Sequence, residues 1–422
     1  MIYLNILFHG GAKEVGGSCI LVENDNNRVA LDYGIKVEKG LSYDAPKRLD
    51  AVVITHAHLD HSGNLLTLSD GNTAIVGSEA TRDVSSELLN DLIKVQRLNG
   101  VDIPYSYKDV NKITDLWISR EKLALPGMEI SLYPAGHVLG ARMAYLEAEG
   151  KKVLYTGDFC LHDTEILDGA NLSAFPREPD VLIMESTYGC IVRPTREELI
   201  NTLFKSIIET MERRGNILIP TFAFHRIQEM ARRIDTAMGM KILPRYNTYI
   251  ISRLAERITE YFGEYKMSLK KSLQDDMDPF RYERIKSIKK VDAIREPAMV
   301  ICTPGFGQAG ISRELLYEWA EDEDNSIIIN TGYLPEDSPL NMAKEKGVIK
   351  NDGESVEVKA DVKQIELSGH ADQIELVQFV KTIRPKRTFL VHGDPDQILA
   401  LEKKISEFTE VTIPENHEKF KI

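Results

Sequence analysis

The sequence contains few cysteines, and they form no recognisable pattern. Only four of its 422 residues are cysteine, namely Cys19, Cys160, Cys190 and Cys302, and no two of them form a Cys-x-x-Cys pair. A cysteine-type zinc site and a disulfide framework are therefore not indicated. Scattered cysteines are typical of proteins in a reducing compartment, so we expect a cytoplasmic location.

Long apolar runs and linker sequences are also missing. No hydrophobic run reaches the ~18 residues that a membrane-spanning helix needs, and the first residues lack the basic region of a secretory signal. We therefore expect no membrane partner. The chain has no Gly/Ser-rich or Pro-rich linker, internal repeat or low-complexity segment. This favours an inserted domain packed against its host over separate domains joined by linkers.

Positive charge is in deficit. The chain has 52 Lys and Arg residues against 65 Asp and Glu residues, which gives a net charge of −13. This balance argues against a protein whose surface as a whole binds a polyanion such as a nucleic acid. A nucleic acid would have to be held locally, in a basic cleft or through metal ions.

Short strands rich in β-branched residues alternate with helical segments along most of the chain. Runs such as RVALDYG and KVLYTGDF each predict a strand that ends in a loop, and residues 81–100 predict an amphipathic helix. Thr195 and Glu198 form a capping box at the start of another helix. The pattern predicts an α/β fold. Its predicted segments are a first domain part at 1–188, an inserted α/β domain at 189–350 and a return segment of the first domain at 351–422.

Acidic and histidine side chains follow the predicted strands, at the point where each strand ends. Strand ends of this kind converge on one rim of an α/β sheet, where binding sites are built, so we expect these side chains to lie close together. They are Asp32, His56, His58, Asp60, His61, His137, Asp158, Glu185, His370 and His392.

The segment ITHAHLDHSG, at 54–63, holds the densest part of this set. Alternate residues of a loop can face one point, so His56 and His58 can share a metal ion, and Asp60 and His61 can face a second point nearby. Imidazole nitrogens together with a carboxylate suit zinc. The segment therefore predicts a metal site.

Each metal ion needs further ligands from elsewhere in the chain. His137 is the candidate third ligand of the first ion, and His392 is the candidate for the second. Asp158 has two acceptor oxygens and could bridge a pair of ions, which is the arrangement that activates water and neutralises a phosphate.

Structural interpretations remain open for several of these residues. Histidines in a strand-end loop can cap the next helix, and His137 or His392 alone would more often be a buried, hydrogen-bonded histidine. Asp32 is either a turn-forming aspartate or a carboxylate that orients a ligand histidine. The remaining histidines are interpreted as structural or surface residues: His9, His162, His225 and His417.

With these residues assembled, the chain resembles the metallo-β-lactamase superfamily and, within it, the β-CASP nucleases. Asp32, the segment THAHLDH, His137 and Asp158 match the four motifs of the superfamily in order. Three β-CASP motifs follow in the segments MESTYG, LSGHADQ and LVHGD, which contain Glu185, His370 and His392. The resemblance implies an αββα sandwich with an inserted α/β β-CASP domain.

The segment HAHLDHSG resembles the polyadenylation-factor endonuclease and its archaeal and bacterial relatives more than it resembles RNase J, and the chain as a whole resembles the archaeal and bacterial relatives. In this family a histidine at the last motif, here His392, accompanies RNA cleavage rather than DNA repair. The resemblance therefore implies a ribonuclease, acting as an endonuclease, as a 5′–3′ exonuclease or as both. Since the chain starts at its first strand and stops soon after His392, we expect a minimal, stand-alone member.

The resemblance also implies roles for individual residues. Two Zn²⁺ ions per chain are expected, the first held by His56, His58 and His137, and the second by Asp60, His61 and His392, with Asp158 between them. His370 is the expected general acid for the leaving 3′ oxygen, and Glu185 is expected to orient it. The products would carry 5′-phosphate and 3′-hydroxyl ends.

Contacts to RNA are expected beside two loops that are similar to family loops. Arg226 lies in IPTFAFHRIQEM, and Ser312 and Arg313 follow TPGFGQAG. The basic stretch at 265–290 predicts a mostly helical segment with interleaved aromatic residues, which suits stacking on a single strand. A solvated helix face is the alternative interpretation.

Three other functions remain open. A small-molecule hydrolase of the same superfamily would share the first four motifs, but not Glu185, His370 or the inserted domain. An inactive RNA-binding scaffold would typically have lost ligand residues, and a DNA nuclease is disfavoured by His392. The expected partner is single-stranded RNA. A homodimer and partner proteins of an RNA-processing complex are compatible with the resemblance.

Overall fold

The computed structural model describes residues 4–37, 40–41, 45–332, 334–351 and 354–422. The chain forms two compact units. Unit 1 comprises Met1–Arg193, Ser268–Lys270 and Gly369–Ile422, and unit 2 comprises Pro194–Met267 and Lys271–Ser368. Among the described residues, no helix combines the length and the apolar character that crossing a bilayer requires.

The first part of unit 1 contains eleven strands and three helices within its described residues. The strands are β1 (Asn5–Gly10), β2 (Cys19–Glu23), β3 (Arg28–Leu31), β4 (Ala51–Val53), β5 (Ala74–Val76), β6 (Trp117–Ile118), β7 (Lys122–Leu125), β8 (Met128–Pro134), β9 (Arg142–Ala148), β10 (Lys151–Tyr155) and β11 (Val181–Glu185). The helices are α1 (Leu59–Ser62), α2 (Glu79–Leu98) and α3 (Tyr107–Asp115).

Unit 2 continues with six helices and eight strands, again counted over described residues. The helices are α4 (Arg196–Arg213), α5 (Arg226–Gly239), α6 (Arg253–Glu264), α7 (Lys271–Gln274), α8 (Gly310–Trp319) and α9 (Pro339–Lys346). The strands are β12 (Ile217–Pro220), β13 (Asn247–Ile251), β14 (Ile285–Ser287), β15 (Ala298–Cys302), β16 (Ser326–Ile329), β17 (Val348–Asn351), β18 (Glu354–Glu357) and β19 (Asp361–Gln364).

The return segment completes unit 1. Its elements are α10 (Gln373–Ile383), β20 (Arg387–Val391), α11 (Pro395–Ile405), β21 (Glu410–Thr412) and β22 (Glu418–Lys421). Two seven-stranded sheets result, with the orders β22-β1-β2-β3-β4-β5-β6 and β21-β20-β11-β10-β9-β8-β7. The main sheet of unit 2 has the order β14-β13-β15-β12-β16-β19.

The inner strands of unit 1, such as β2, β4 and β11, are buried on both faces, which explains their nearly continuous apolar sequences. In β2, Ile20 and Val22 face the core between the two sheets, whereas Cys19 and Leu21 face the core that contains α2 and α3. This alternation follows the two-residue period of a strand. Unit 1 is therefore a sandwich of two sheets with helices outside them, and the predicted αββα fold with an inserted α/β unit is confirmed.

Two predicted helices are confirmed, and one prediction is wrong. The capping box of Thr195 and Glu198 opens α4, with both of its hydrogen bonds present. Helix α2 occupies most of the stretch predicted at 81–100. The stretch 265–290 is not mostly helical, since it contains only α7, a short 3-10 turn and β14. Pro279 and its preceding residue are unsuited to a helix interior.

The point at which the chain leaves unit 2 also differs from the sequence-based boundary. The return was placed at residue 351, whereas the structure assigns residues up to Ser368 to unit 2. The reason is β19, which pairs in parallel with β16 from Ser326↔Asp361 to Ile329↔Gln364 and so extends the sheet of unit 2.

Candidate metal centre

The candidate residues of unit 1 lie where strands end. Asp32 directly follows β3, and the 54–61 loop follows β4, its parallel neighbour. Asp158, Glu185 and His392 lie at the ends of β10, β11 and β20, which are also consecutive parallel strands. Parallel neighbours end at the same edge of a sheet, so each of the two sheets brings its own side chains together, and the two sheets pack on a shared core.

Close approach of two of these loops depends on a glycine. Gly157 has a φ of 50°, and a Cβ atom at this position would lie 2.7 Å from the Cβ of Thr55. Any other residue would therefore push the loop after β10 away from the loop after β4. Asp32 and His392 also have positive φ values, of 58° and 50°. Such strained backbone is typical of functional sites.

The first group consists of His56, His58, His137 and Asp158, whose ligand atoms all lie within 4.8 Å of one another. The Nδ1 of His58 is 3.0 Å from the Nε2 of His56 and 3.4 Å from the Nε2 of His137. His56 and His137 are buried, and His58 is half-buried. The structure thus brings together the three histidines that the sequence assigns to a first ion.

The second group consists of Asp60, His61 and His392, whose ligand atoms also lie within 4.8 Å of one another. The Oδ2 of Asp60 is 3.3 Å from the Nε2 of His392 and 3.7 Å from the Nε2 of His61. His392 comes from the return segment, and its Nδ1 lies 3.2 Å from the Oγ1 of Thr187.

Asp158 faces both groups. Its Oδ2 lies 3.6 Å from the Nε2 of His56 and 3.4 Å from the Nε2 of His61, and its Oδ1 lies 3.4 Å from the Nδ1 of His392. One buried carboxylate is thereby placed between two sets of imidazoles, as a bridging ligand would be.

Asp32 supports the second group from behind. Its carboxylate accepts hydrogen bonds from the backbone N–H of Thr55 at 2.7 Å, the Thr55 hydroxyl at 2.9 Å and the Tyr155 hydroxyl at 2.8 Å. The Nδ1 of His61 lies 2.7 Å from the same carboxylate. A proton on Nδ1 satisfies this bond, which leaves the lone pair of His61 on Nε2, the atom that faces Asp60 and Asp158.

Two buried atoms at the centre have no hydrogen-bond partner within the part of the chain that the structure describes. They are the Nε2 of His61 and the Oδ1 of Asp158. Buried polar atoms without partners are costly unless an ion or another group binds them. Imidazole nitrogens with carboxylate oxygens are also the donor set that zinc prefers. The residues present therefore fit a metal ion.

The charge states of two histidines in the first group suit cation binding. Burial holds the pKa of His56 well below its ordinary value, and burial likewise lowers the pKa of His58 to about 4. Both imidazoles are therefore neutral near pH 7, and each has a lone pair that a cation can use.

Carboxylates dominate the second group. Burial opposes the charged form of His61, but Asp158, Asp32 and Asp60 together raise the pKa of this histidine well above its ordinary value. For His392, Asp158 and Asp60 likewise outweigh burial and raise the pKa. The same attraction outweighs burial of Asp60 and lowers its pKa to about 2. The surplus of negative charge favours positive charge here, which a metal ion would supply.

His370 and Glu185 form a pair beside the first group. The Nδ1 of His370 is 3.1 Å from the Oε2 of Glu185, and Glu185 also accepts the backbone N–H of Phe159 at 2.8 Å. The imidazole rings of His370 and His137 have centroids 4.4 Å apart. The structure therefore places the predicted general acid and the carboxylate predicted to orient it next to the candidate metal ligands.

Several supporting residues were missed by the sequence analysis. Tyr155 and Thr55 bind Asp32, Thr187 contacts His392, and the carbonyl of Gly369 lies 2.8 Å from the Nδ1 of His137. Hydroxyl residues adjoining strand ends are common, so their spacing gave no signal. The Nδ1 of His162, a histidine interpreted from the sequence as a structural or surface residue, lies 3.0 Å from the carboxylate of Glu375.

The three residues expected to contact RNA belong to unit 2. Arg226 is 8% exposed, forms an ion pair with Glu229 at 2.6 Å and donates to the carbonyl of Leu367 at 3.0 Å. Ser312 is buried, and its hydroxyl donates to the carbonyl of Pro304 at 2.7 Å. Arg313 is half-buried, with its guanidinium 4.9 Å from the ring centroid of Tyr317. Two of the three are thus committed to internal bonds.

Two of the three aromatic residues of the basic stretch, Phe280 and Tyr282, are packed against other residues of unit 2. Phe280 is 6% exposed, and its ring centroid is 5.0 Å from that of Phe262. Tyr282 packs against the hydrophobic core of the unit. Neither ring is presented to solvent as a stacking platform, so the structure favours the structural interpretation of these residues.

Comparison with known proteins agrees with this architecture. Family models match three parts of the chain: the metallo-beta-lactamase superfamily at residues 12–199, the Beta-Casp domain at 227–339, and the Zn-dependent metallo-hydrolase RNA specificity domain at 355–414. "Probable RNase MJ4" from Methanocaldococcus jannaschii is 30% identical over 418 residues, which cover 94% of this chain and 95% of that protein. This chain belongs to the Beta-Casp family of the metallo-beta-lactamase superfamily.

Several curated relatives are longer than this chain. "Cleavage and polyadenylation specificity factor subunit 3-I" from Arabidopsis thaliana is 29% identical over 97% of this chain and 62% of its own length. The chain spans between 48% and 62% of the length of four such curated relatives. A crystal structure of a protein of unknown function from Enterococcus faecalis V583 is similar over 100% of both chains, with a TM-score of 0.59 and 14% identity, and shares the fold.

Proposed function

We propose that this Beta-Casp protein is a zinc-dependent ribonuclease that hydrolyses RNA phosphodiesters to 5′-phosphate and 3′-hydroxyl ends, in RNA processing or decay. The observation that carries the proposal is the position of Asp158 between two histidine groups, with the His370–Glu185 pair beside them. A small-molecule hydrolase of the superfamily needs the metal ligands but has no need of this additional pair.

The proposed ligands follow the two groups. One Zn²⁺ would be held by His56, His58 and His137, the other would be held by Asp60, His61 and His392, and Asp158 would be shared. Bound zinc would neutralise charge that grows on the phosphoryl oxygens and would lower the pKa of a water molecule at the centre. Asp32 would keep His61 in the tautomer that presents Nε2.

His370 is the proposed general acid. Its Nδ1 is bonded to Glu185, so we assign Nε2 as the atom that gives its proton to the leaving 3′ oxygen. Glu185 is held in turn by the N–H of Phe159, which limits its own movement. A histidine suits this role because its ordinary pKa lies near neutral pH.

RNA is the proposed substrate. It is supported by the match to the RNA specificity domain and by relatives whose names describe RNases. Partner proteins of an RNA-processing complex, a homodimer and a cytoplasmic location remain predictions. The location is supported by four free cysteines.

The test uses zinc-loaded protein with RNAs labelled internally or at the 5′ end, each with a free or a blocked 5′ end. His370→Ala should lose roughly 100-fold or more of RNA turnover, since general acids contribute about 10²–10⁴-fold, while its zinc content stays at that of the wild type. The matched control is His162→Ala, which removes another histidine of unit 1 that is paired with a glutamate.

The outcomes separate the alternatives. Turnover that is insensitive to the 5′ block indicates endonuclease action, and turnover that needs a free 5′ end indicates exonuclease action. Hydrolysis of thioesters or lactones without RNA turnover would favour a small-molecule hydrolase. Protein that binds RNA but takes up no zinc would favour a scaffold.

A further inference from the structure

The segment 189–193 lies along the start of α10. Helix α10 directly follows the loop that carries His370. The backbone N–H of Gln373 donates to the carbonyl of Ile191 at 2.9 Å, and the Gln373 side chain donates to the carbonyl of Gly189 at 2.6 Å. The backbone N–H of Arg193 donates to the Asp372 carboxylate at 3.1 Å. The backbone of this segment is therefore anchored independently of the Arg193 side chain.

The Arg193 side chain reaches back to His370 itself. Its Nη2 donates a hydrogen bond to the backbone carbonyl of His370. The guanidinium also lies over the ring of Tyr188, at 4.7 Å from the ring centroid. The ring of Tyr188 meets the imidazole of His370 edge to face, with centroids 5.7 Å apart and an interplanar angle of 74°.

Two different supports therefore act on His370. Glu185 binds the imidazole through Nδ1, whereas Arg193 binds the main chain and holds the aromatic ring that flanks the imidazole. The geometry of a proton donor must be held within a fraction of an ångström, and residues behind it commonly supply this rigidity. The carbonyl bond fixes the peptide plane from which the His370 side chain projects.

We propose that Arg193 is a positioning residue that fixes the main chain of His370 for proton donation. The inference rests on the proposed function, because Arg193 is proposed to position His370 in its role as the general acid. A guanidinium suits both contacts, since its planar fork can stack on a ring and donate at its edge at the same time. A lysine could supply the hydrogen bond but not the stacked plane.

The test measures kcat and KM separately for Arg193→Ala, with zinc-loaded protein. On RNA, kcat should fall roughly 10-fold to 100-fold with KM unchanged, because a misplaced catalytic group costs about this much. Hydrolysis of bis(4-nitrophenyl) phosphate should change less than about two-fold, since nitrophenolate leaves without a proton and its hydrolysis does not need the general acid. Arg193→Lys should recover part of the lost kcat.

A double variant gives the sharpest test. If Arg193 acts through His370, adding Arg193→Ala to His370→Ala should cost no further activity on RNA, because residues that act as a unit are not additive. The charge-matched control is Arg120→Ala, which removes an exposed arginine of unit 1 and should behave as the wild type. Thermal melting of each variant reports folding, and Arg193→Lys serves if the alanine variant does not fold.

Three results would overturn the inference while leaving the proposed function intact. They are a loss in Arg193→Ala that appears in KM, an equal loss on the nitrophenyl diester, and an additive loss in the double variant. An increase in KM would indicate that Arg193 contacts the RNA instead. Failure of His370→Ala to reduce RNA turnover would contradict the proposed function as well.

Discussion

Glu185 binds both the imidazole of His370 and a backbone N–H: the Nδ1 of His370 lies 3.1 Å from the Oε2 of Glu185 and 3.3 Å from its Oε1, and Oε1 also accepts the N–H of Phe159. Glu185 is 1% exposed, whereas the side chain of His370 is 19% exposed. The buried partner is thus the fixed one, and the imidazole can reach a substrate.

This arrangement predicts the effect of Glu185→Gln. The amide keeps an oxygen for the Phe159 N–H but removes the negative charge that faces Nδ1, so kcat on labelled RNA should fall roughly 10-fold or more. Because Glu185 is assigned no zinc, the zinc content should equal that of the wild type. A drop in zinc content together with kcat would show that Glu185 is a ligand instead, which its place near Asp158 and His392 makes worth measuring.

Asp32→Asn should weaken zinc binding without touching the metal itself. The carboxylate is bonded to His61, Tyr155 and Thr55, and an amide cannot accept all of these bonds. Loss of a residue that supports a ligand typically costs about 10–100-fold in metal affinity. Competition with a chromophoric chelator measures it. Tyr155→Phe removes one donor only and should have a smaller effect, and unchanged affinity in Asp32→Asn would contradict the tautomer argument.

Removal of metal should destabilise unit 1. A ligand that binds only the folded state stabilises it by about 2.7 kcal/mol at one hundred times its dissociation constant. We therefore expect thermal melting to shift upward as zinc is added to chelator-treated protein. The shift should become smaller when His56 and His58 are both replaced by alanine, because only the second group then keeps its full set of ligands. Calcium is the matched control ion, because it prefers oxygen ligands and should give no comparable shift.

In unit 2, Glu229 should matter for stability rather than for catalysis. Its carboxylate is 6% exposed and bonds to Arg226 at 2.6 Å and to Arg196 at 2.8 Å. Glu229→Ala would leave two largely buried guanidinium groups without their carboxylate partner, which should cost about 3–5 kcal/mol of unfolding free energy. Glu209→Ala, at an exposed ion pair, should cost less than about 1 kcal/mol. Denaturant unfolding measures both.

The same contacts set the expectation for Arg226 as an RNA contact. If Arg226→Ala weakens RNA binding only in step with lost stability, its role is internal. If Arg226→Ala instead has unchanged stability but binds RNA more weakly, Arg226 contacts an RNA phosphate. Arg313→Ala, at a half-buried position, provides the comparison.

The sequence could predict the candidate metal ligands because these histidines and carboxylates follow strands, and the ends of strands can be located from apolar runs in the sequence. His56, Asp158 and His392 all follow such runs. Parallel pairing brings Asp158 and His392 to one edge of their sheet, and His56 follows a strand of the other sheet, which packs on the same core. The boundary near 351 could not be placed. The sequence around β19 alternates short strands with loops, as the first part of unit 1 does. The pairing of β19 with β16 in unit 2 depends on residues that are distant in the sequence.

Supports such as Tyr155 and Arg193 were beyond prediction for a different reason. Each contacts a residue far along the chain, as Arg193 does at the carbonyl of His370, and no periodicity of the sequence marks such a contact. The helical interpretation of 265–290 failed because its basic residues suggested a helix face, while Pro279 interrupts the segment and Phe280 is drawn into the core.

The position of Asp158 has a thermodynamic consequence. Since one carboxylate contacts histidines of both groups, filling one position must alter the affinity of the other, and this coupling is reciprocal. The factor by which the first ion changes the binding of the second equals the factor by which the second changes the first. When zinc is scarce, the occupancy of one position would therefore depend on that of the other. Activity would follow the fraction of protein that has both positions filled, and not the saturation of either position alone.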